Sequence, residues 1–465
     1  MSDKKYDLVI IGGGSAGLVA AVSAGASGAK TALVERDRIG GECSWTGCVP
    51  SKALIDYASK TKSFKEFINP PPNIGADTAH SPFDYVKNIR EKASEASKVK
   101  SLLERYDVPI LFGDPFFEDR HVLNIEGNKY RAKKIIISTG SYPKIPEGLE
   151  GKYLTNRNIW DLKKPPASMI ILGGGPIGIE MAQSFARLGT SVNVVEKSDR
   201  ILANDDREMA DALLGLLKDE GITFHLKAKV HSIRLTEDFC LMDLGTQKIG
   251  AEKLLVAVGR EANVEGLNLE GAGVEYRKEA IKADKYLRTS SAGIFAAGDC
   301  NGIYQFSHIA EIEAKTAVRN ALFPLLAKMD YQGIPWATFT DPELAHLGLT
   351  EQECKKKGIS YKVFKHPFAG DDRAIIEGRT KGMIKVISNI RGALIGVHIL
   401  GPRAGELINE FVLARRKSLK IYDIGLTCHV YPSLGMAAQR ATDEWFAYMA
   451  GKGVIKKMIR LLRHP

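Results

Sequence analysis

The chain has 465 residues, of which 44% are hydrophobic and 8% aromatic, and its formal net charge is +10. One hydrophobic core cannot serve a chain of this length, so we expect several globular domains and exclude a disordered protein. The lysines and arginines are dispersed and accompany no nucleic-acid-binding motif, which argues against a nucleic-acid partner. Six scattered cysteines exclude a secreted disulfide scaffold and favour a reducing compartment.

The N-terminal stretch MSDKKYDLVII lacks the cleavage region of a signal peptide. No apolar run in the chain reaches the ~20 residues that span a bilayer. We therefore expect a soluble, cytoplasmic protein.

The stretch YDLVIIGGGSAGL predicts a βαβ unit that binds a dinucleotide. An apolar strand leads into a glycine-rich turn and a helix of small residues, and a second strand ends in Glu35. Gly12 and Gly14 permit the tight turn and the close approach of a pyrophosphate, and Gly17 lets helix and strand pack closely. The helix N-terminus offers N–H groups and a positive dipole to the phosphates, and Glu35 would accept hydrogen bonds from a ribose.

The same pattern recurs at SMIILGGGPIGIE and predicts a second dinucleotide site. Three glycines form the turn: Gly173, Gly175 and Gly178. Glu196 ends the second strand, where an acid binds a free 2′-hydroxyl and repels a 2′-phosphate. We therefore expect NADH in preference to NADPH, with Lys197 and Arg200 as the nearby cations that would weaken this preference.

Further cofactor contacts are predicted where other strands end. AKKIIISTG ends in a small-residue turn that includes Thr139 and Gly140. TSSAGIFAAGDC places Asp299 at the carboxyl end of a strand, a position that suits a polar cofactor chain in an α/β sheet. We also assign Gly113 and Gly259 to the cofactor contacts.

The stretch GGECSWTGCVPSK holds Cys43 and Cys48, with four residues between them. The pair could be a redox-active disulfide, a metal clip or two inert thiols. A structural zinc site normally needs four ligands, and no second CxxC or Cys/His pair lies nearby in sequence, so we predict no metal site. VPSKALIDYASK predicts a helix whose first turn holds Cys48, and its dipole would lower the pKa of that thiol.

Taken in order, these motifs resemble the class I flavoprotein pyridine nucleotide-disulfide oxidoreductases, which include dihydrolipoamide dehydrogenase, glutathione reductase and mercuric reductase. AVGREAN from Ala257, AAGDC from Ala296 and FTDPELAHLGLTE from Phe339 extend the resemblance over nearly the whole chain. It implies an α/β fold with two Rossmann-like domains, for FAD and NAD, and a C-terminal α+β dimerisation domain. The boundaries we predict are 1–150 and 268–335 for FAD, 151–267 for NAD(P), and 336–465 for dimerisation.

The resemblance also implies an electron relay. NADH gives a hydride to the flavin, the flavin reduces a Cys43–Cys48 disulfide, and the dithiol passes two electrons to a substrate. Cys48 would be the charge-transfer thiolate against the flavin, and Cys43 the interchange thiol. Lys52 would lie near the flavin N5 and pair with Glu180, and His308 would lie in the stretch beneath the flavin ring.

The resemblance fails at the stretch CHVYPSLGMAAQ. Family members that reduce small disulfides carry a His-Pro motif and a nearby Glu, and the His shuttles a thiol proton across the dimer interface. Here Tyr431 stands in place of that His and Met436 in place of the Glu. A phenol with an ordinary pKa near 10 is a poor shuttle at neutral pH, and losing acid–base catalysis costs on the order of 10² to 10⁴ in rate. His429 is the alternative proton carrier, although a packed or surface histidine is the favoured interpretation.

We therefore predict a mercuric-reductase-like oxidoreductase whose acceptor is a small molecule, a metal ion or a protein thiol. Mercuric reductase itself hands its metal over from a C-terminal cysteine pair, and this chain has no cysteine after Cys428. The alternatives are a diaphorase or quinone-reducing flavoprotein, dihydrolipoamide dehydrogenase or mercuric reductase proper, and a non-catalytic redox sensor.

Two interactions with partners are expected. The resemblance implies a homodimer in which Tyr431 of one chain faces Cys43 of the other. The tail GVIKKMIRLLRHP separates into an apolar and a basic side in helical projection, as in helices that lie on anionic membranes. Packing of this tail on its own dimer is the favoured interpretation, and peripheral membrane contact is the hypothesis.

Overall fold

The structure, a computed structural model, describes residues 4–68, 81–96, 99–278 and 280–451. The basic tail from residue 453 onward lies outside the described residues. The chain forms two compact units. The first combines the residues up to 166 with 235–239 and 253–330, and the second combines 167–234 and 240–252 with the residues from 331 onward. The four-segment division predicted from the sequence stays a prediction.

The described residues between 4 and 166 form seven strands and five α-helices. The strands are β1 (Lys4–Ile11), β2 (Thr31–Glu35), β3 (Ile110–Phe112), β4 (Pro115–Asp119), β5 (Val122–Ile125), β6 (Asn128–Ile137) and β7 (Ser141–Pro143). The helices are α1 (Ser15–Ala26), α2 (Gly41–Trp45), α3 (Cys48–Phe67), α4 (Pro82–Ala96) and α5 (Val99–Arg105).

The described residues between 167 and 330 form eleven strands and three α-helices. The strands are β8 (Ser168–Leu172), β9 (Ser191–Val195), β10 (Thr223–His225), β11 (Ser232–Leu235), β12 (Cys240–Asp243), β13 (Lys248–Ala251), β14 (Lys253–Val256), β15 (Arg260–Ala262), β16 (Tyr276–Arg277), β17 (Ala280–Ile281) and β18 (Ile294–Ala296). The helices are α6 (Pro176–Arg187), α7 (Arg207–Asp219) and α8 (Ser307–Leu322).

The described residues from 331 to 451 form five strands and five α-helices. The strands are β19 (Pro335–Thr338), β20 (Glu343–Gly348), β21 (Lys362–Pro367), β22 (Met383–Ser388) and β23 (Leu394–Gly401). The helices are α9 (Glu351–Lys356), α10 (Asp372–Ile376), α11 (Ala404–Arg416), α12 (Ile421–Gly425) and α13 (Gly435–Gly451).

The first unit is built on a seven-stranded sheet. Its order is β3-β2-β1-β6-β5-β4, and β18 also pairs with β6. β1 pairs in parallel with both β2 and β6, so its continuous apolar run is buried on both faces, with Leu8, Val9 and Ile10 fully inaccessible. The carboxyl ends of β1, β6 and β18 lie at one edge of this sheet, where α/β folds bind ligands.

The described residues of the second unit contribute to three sheets, the smallest of which consists of β11, β12 and β13. β10, β9 and β8 are neighbouring parallel strands, and α6 connects β8 to β9. β19-β20-β23-β22-β21 form an antiparallel sheet. Helices α11 and α13 cover this second sheet with small buried residues such as Ala414, Ala437 and Ala441. Within the part of the chain that the structure describes, no helix has the length and apolarity needed to cross a membrane.

Candidate active site

The first glycine turn has the geometry of a dinucleotide site. Gly12 has φ of +102°, and a Cβ at this position would lie 2.4 Å from the carbonyl oxygen of Ser138. A Cβ at Gly17 would lie 1.7 Å from the oxygen of Gly12, so α1 packs against β1 more closely than any side chain permits. Gly14 caps α1 in extended conformation. The turn therefore needs glycine at Gly12 and Gly17 for steric reasons.

A cavity of about 480 Å³ lies beside this turn. Its lining residues can be compared with those that FAD requires. Gly12, Glu35 and Thr139 all line it. The Glu35 carboxylate accepts hydrogen bonds from the backbone N–H groups of Gly13, at 2.7 Å, and Asp37, at 2.8 Å. These residues suit the adenosine end of the cofactor, because a concave wall of backbone meets a fixed acid at the end of β2.

The other predicted cofactor residues in the first unit lie near strand ends. The Gly113 N–H donates to the carbonyl oxygen of Glu35 at 3.0 Å. Thr139 Oγ1 donates to the oxygen of Asn263 at 2.7 Å, and the Gly140 oxygen accepts from the Asn263 N–H at 3.0 Å.

Gly259 and Asp299 complete this set. The Gly259 oxygen accepts from the N–H of Lys144 at 2.9 Å. Asp299 follows β18 at the start of a short 3-10 helix, and its Oδ2 accepts a hydrogen bond from Ser141 Oγ at 2.5 Å. The structure thus places Gly12, Glu35 and Thr139 around one cavity, whereas contact of Gly113, Gly140, Gly259 and Asp299 with the cofactor stays a prediction.

Cys43 and Cys48 are adjacent thiols at the start of α3. Cys43 lies within the five-residue helix α2, and Cys48 is the first residue of α3. Both are free, and each thiol shifts the pKa of the other. Ser307 Oγ, at the start of α8, lies 3.5 Å from Cys48 Sγ, and the side chains of Ser307 and Ser15 both lower the pKa of Cys43. The two free thiols therefore lie in one environment that also contains serine hydroxyl groups.

The two thiols differ in acidity. The hydrogen bond from Cys48 lowers the pKa of Cys43 to about 6, although desolvation opposes this shift. The same hydrogen bond, followed by desolvation, raises the pKa of Cys48. For the dithiol the pKa of Cys48 is raised, opposite in direction to the shift expected from the α3 dipole. The two thiols titrate as a coupled pair, so the proton belongs to the pair rather than to one sulfur.

Two predicted flavin neighbours also belong to the first unit. Lys52 lies one turn after Cys48 in α3, and its charge is a minor influence that lowers the pKa of Cys48 against the hydrogen bond and desolvation. The His308 ring, in α8, stacks on Phe306 with centroids 5.4 Å apart. Glu180 lies buried in α6 of the second unit and accepts a hydrogen bond from the N–H of Phe339 at 2.9 Å. The pairing of Lys52 with Glu180 stays a prediction.

The second glycine turn repeats the geometry of the first. Gly173 has φ of +116°, Gly175 caps α6, and a Cβ at Gly178 would lie 2.0 Å from the Gly173 oxygen. Glu196 accepts from the N–H of Gly174 at 2.7 Å and from that of Ser198 at 2.7 Å. Burial alone would raise the pKa of Glu196, but these hydrogen bonds lower it, so the carboxylate is charged at neutral pH.

Tyr431 is solvent-exposed, with 65% of its surface accessible. A hydrogen bond to the Asp372 carboxylate, together with the charge of that group, raises the pKa of its phenol. Met436 lies in the first turn of α13. His429 Nδ1 lies 2.8 Å from the Thr427 oxygen, and its Nε2 lies 2.9 Å from a Glu410 carboxylate oxygen. These contacts at both ring nitrogens favour the interpretation of His429 as a packed residue.

Sequence reasoning missed four residues around the thiols: Ser15, Glu42, Arg260 and Ser307. Glu42 directly precedes Cys43, and Ser15 directly follows Gly14, so their positions within known motifs were a usable signal. Arg260 and Ser307 are distant in sequence, and only the fold brings them to the site. Among the residues that the structure describes, no group of three or more His, Cys, Asp or Glu side chains is arranged to hold a metal ion.

Two neighbouring thiols beside a glycine turn, in a chain with a second such turn, are the arrangement of a flavoprotein oxidoreductase. Residues 6–314 match the family model described as pyridine nucleotide-disulphide oxidoreductase, and residues 334–442 match that of its dimerisation domain. The chain belongs to the pyridine nucleotide-disulphide oxidoreductase family. It is an enzyme that uses FAD and a nicotinamide dinucleotide, and its dimerisation domain supports the predicted homodimer.

Similar proteins cover nearly the whole chain. A dihydrolipoyl dehydrogenase of Bacillus subtilis is 33% identical over 94% of this chain and 97% of its own length. A mercuric reductase of Staphylococcus aureus is 34% identical over 94% of this chain and 81% of its own. Among solved structures, the Cu(II) complex of the HOCl-induced flavoprotein disulfide reductase RclA from Escherichia coli has a TM-score of 0.83 at 27% identity. The aligned region covers 95% of this chain and 99% of the RclA chain.

The predicted fold class, family and FAD cofactor are confirmed by these comparisons. The preference for NADH over NADPH and the cytoplasmic location stay predictions.

Proposed function

We propose that the enzyme passes electrons from NADH, through FAD, to a Cys43–Cys48 disulfide and on to an acceptor other than a small disulfide. The observation that carries this proposal is the pair of interacting free thiols, Cys43 in α2 and Cys48 at the start of α3, beside the first glycine turn. The Gly40 N–H donates to the Gly13 oxygen at 2.9 Å, which attaches the cysteine segment to that turn. When bound, FAD would supply the redox chemistry that connects a hydride donor to a disulfide that accepts two electrons.

The chain's own residues determine where the protons lie. Reduction of the disulfide takes up two electrons and one proton, and Cys43 and Cys48 share that proton as a coupled pair. With the proton on Cys43, the Cys48 thiolate faces the flavin; with the proton on Cys48, the Cys43 thiolate is the nucleophile towards an acceptor. When the disulfide closes again, the shared proton must leave, and Ser307 Oγ, 3.5 Å from Cys48 Sγ, is a polar group beside it.

The C-terminal residues support an acceptor that needs no proton relay. Each sulfur released from a disulfide substrate must be protonated, whereas a metal ion takes up electrons without a proton. Tyr431 holds its proton tightly because Asp372 raises its pKa, so it cannot cycle at neutral pH as an imidazole does. Mercuric reductases are among the relatives, and the similar RclA structure is a Cu(II) complex. We therefore place metal ions before small disulfides as acceptors, with protein thiols and other small molecules as the remaining classes.

We further propose that NADH is the electron donor. The Glu196 carboxylate is held at the end of β9 by two backbone N–H groups and is charged at neutral pH, so it repels a 2′-phosphate. Arg200 donates to the backbone oxygens of Ala203 and Asp205, which occupies its guanidinium within its own loop. Of the two cations that could attract a 2′-phosphate, Lys197 and Arg200, the second is thereby engaged elsewhere.

Removal of single thiols tests the function. We expect Cys43→Ala, in the FAD-loaded enzyme, to lose on the order of 10³-fold or more in NADH-dependent reduction of the best acceptor, because a catalytic nucleophile is removed. Cys354→Ala, which removes a buried thiol in α9, is the matched control and should retain turnover. The acceptor panel contains Hg(II), Cu(II), lipoamide, glutathione disulfide and a quinone.

Full turnover by Cys43→Ala with the quinone would overturn the proposal and favour a diaphorase or quinone reductase. Fast reduction of lipoamide or glutathione disulfide by the wild type would contradict the role assigned to Tyr431. Membrane contact by the tail from residue 453 stays a prediction, and co-sedimentation with anionic liposomes, with and without those residues, tests it.

A further inference from the structure

Glu42 and Arg260 form an ion pair beside the reactive thiols. Glu42 directly precedes Cys43 in α2. One oxygen of its carboxylate accepts a hydrogen bond from Asn156 Nδ2, and the other accepts one from Arg260 Nη2. The side chains of Arg260 and Glu42 are only 14% and 23% exposed. The pair is thus shielded from bulk water, so its charges act on their neighbours more strongly than surface charges do.

The guanidinium of Arg260 is held in place by further contacts. Its Nε donates to Ser141 Oγ at 2.8 Å, and its Nη2 donates to the Ser141 backbone oxygen at 3.2 Å. The Nε atom also lies 3.7 Å from Asp299 Oδ2. Because β15 pairs with β7, these contacts join two adjacent strands. Glu42 therefore ties the short cysteine-bearing helix to a rigid anchor.

The charge on Cys48 also affects the pKa of Arg260. Burial alone would lower its pKa, but the charge and hydrogen bond of Glu42, then the charges of Asp299 and Cys48, raise it. Three other described side chains act on the thiol pair, Ser15 from α1, Lys52 from α3 and Ser307 from α8, and Asp299 contacts Arg260. Of the three, Lys52 carries charge, and we therefore take the neutralisation of Arg260 by Glu42 as the charge balance that a substitution can change.

We propose that Glu42 is a positioning residue that sets the thiolate content of the Cys43–Cys48 pair, by neutralising Arg260 and by fastening α2 to β15. This inference rests on the proposed role of the two cysteines as the redox couple. Without the Glu42 charge, Arg260 would stabilise a thiolate and the dithiol would be more acidic. Without Arg260, the negative charges of Glu42 and Asp299 would make the dithiol less acidic.

Three variants separate charge from packing. Glu42→Gln removes one negative charge and frees that of Arg260, so the apparent pKa of the reactive thiol should fall by about one unit. Arg260→Gln should raise it by a similar amount. Glu42→Asp keeps the charge and should restore most of the wild-type value. The matched control is Glu118→Gln, which removes a carboxylate of the same unit that pairs with Lys129 at 2.6 Å.

The measurement is the pH dependence of Cys43 alkylation by iodoacetamide in the reduced, FAD-loaded protein, with the modified residue identified by mass spectrometry. The half-maximal rate should move to lower pH in Glu42→Gln, to higher pH in Arg260→Gln, and stay in place in Glu118→Gln. Superimposable profiles of wild type and Glu42→Gln overturn the inference. Profiles of Glu42→Gln and Glu42→Asp that are equally displaced also overturn it, since that would indicate packing rather than charge.

If Glu42→Gln fails to retain FAD, the pH profile of Cys43 alkylation in Arg260→Gln decides between the outcomes. A shift of that profile to lower pH, or no shift, contradicts the inference that Glu42 and Arg260 balance each other's charge. Alkylation does not depend on turnover. A failure of the proposed function, seen as full turnover by Cys43→Ala, is therefore distinct from a failure of this inference.

Discussion

The two predicted dinucleotide-binding folds, which contain Glu35 and Glu196, share a backbone arrangement. They differ in the side chains of the segment that follows each glutamate. In the first, Glu35 accepts a hydrogen bond from the Gly13 N–H, and the Gly40 N–H then donates to the Gly13 oxygen at 2.9 Å. In the second, Glu196 accepts from the Gly174 N–H, and the Leu202 N–H donates to the Gly174 oxygen at 2.9 Å. The segment after the acid thus returns to the glycine turn in both folds.

The returning segments carry different groups. In the first fold the segment leads through Gly41 into Cys43 and Cys48. In the second fold it leads to Asp206, which caps α7 and accepts two hydrogen bonds from the buried Lys385. The glycine turn is therefore a general device for holding a dinucleotide, and the returning segment decides whether it is joined to redox chemistry or to a structural ion cluster.

The largest expected effect on cofactor binding comes from adding a methyl group to each turn. A Cβ at Gly17 or Gly178 would collide with backbone oxygen at 1.7 Å and 2.0 Å. Overpacking costs about 1–3 kcal/mol or more, so we expect the affinity for the resident cofactor to fall on the order of 10²-fold. Gly17→Ala should lose FAD, whereas Gly178→Ala should keep FAD and lose NADH binding.

Flavin absorbance and NADH titration measure these two outcomes. Gly215→Ala in α7 is the control, because a Cβ there meets no atom within 4 Å. Loss of FAD from Gly178→Ala, with FAD retained by Gly17→Ala, would reverse the assignment of the two folds.

An effect on folding stability, rather than on cofactor binding, is expected at the ion cluster of the second fold. Lys385 is 1% exposed, and its Nζ contacts Asp206 at 3.0 Å, Glu208 at 3.0 Å and Glu351 at 2.6 Å. Lys385→Met leaves the buried Asp206 charge unpaired and should lower the free energy of unfolding by about 3–5 kcal/mol. Urea denaturation measures the loss. Lys365→Met, which breaks an exposed pair with Glu208, should cost less than about 1 kcal/mol. Equal losses in both variants would show that burial of Lys385 is unimportant.

The smallest expected effect is a change of nicotinamide preference. Glu196→Gln removes the charge that repels a 2′-phosphate, so the ratio of kcat/KM for NADH over NADPH should fall about tenfold, or ~1.4 kcal/mol. Glu35→Gln, the equivalent change in the first fold, should leave this ratio unchanged. A wild type that prefers NADPH would contradict the assignment of Glu196.

The two turns were predictable because their requirements are local. Gly12 adopts a left-handed φ, and Gly17 meets a backbone oxygen, so spacing within a dozen residues reveals both needs. The contact of Glu42 with Arg260 spans 218 residues, and no local pattern signals it. The acidity of Cys43 was missed for another reason: the α3 dipole was visible in the sequence, but the interaction between the two thiols depends on their spatial arrangement.

The most direct test of the central claim is an anaerobic titration of the FAD-loaded enzyme with NADH, followed by absorbance and thiol counting. If Cys43 and Cys48 are the working redox centre, two electrons should produce a long-wavelength charge-transfer band and two newly titratable thiols. Bleaching of the flavin with neither the band nor new thiols would contradict the claim and show that the disulfide is idle.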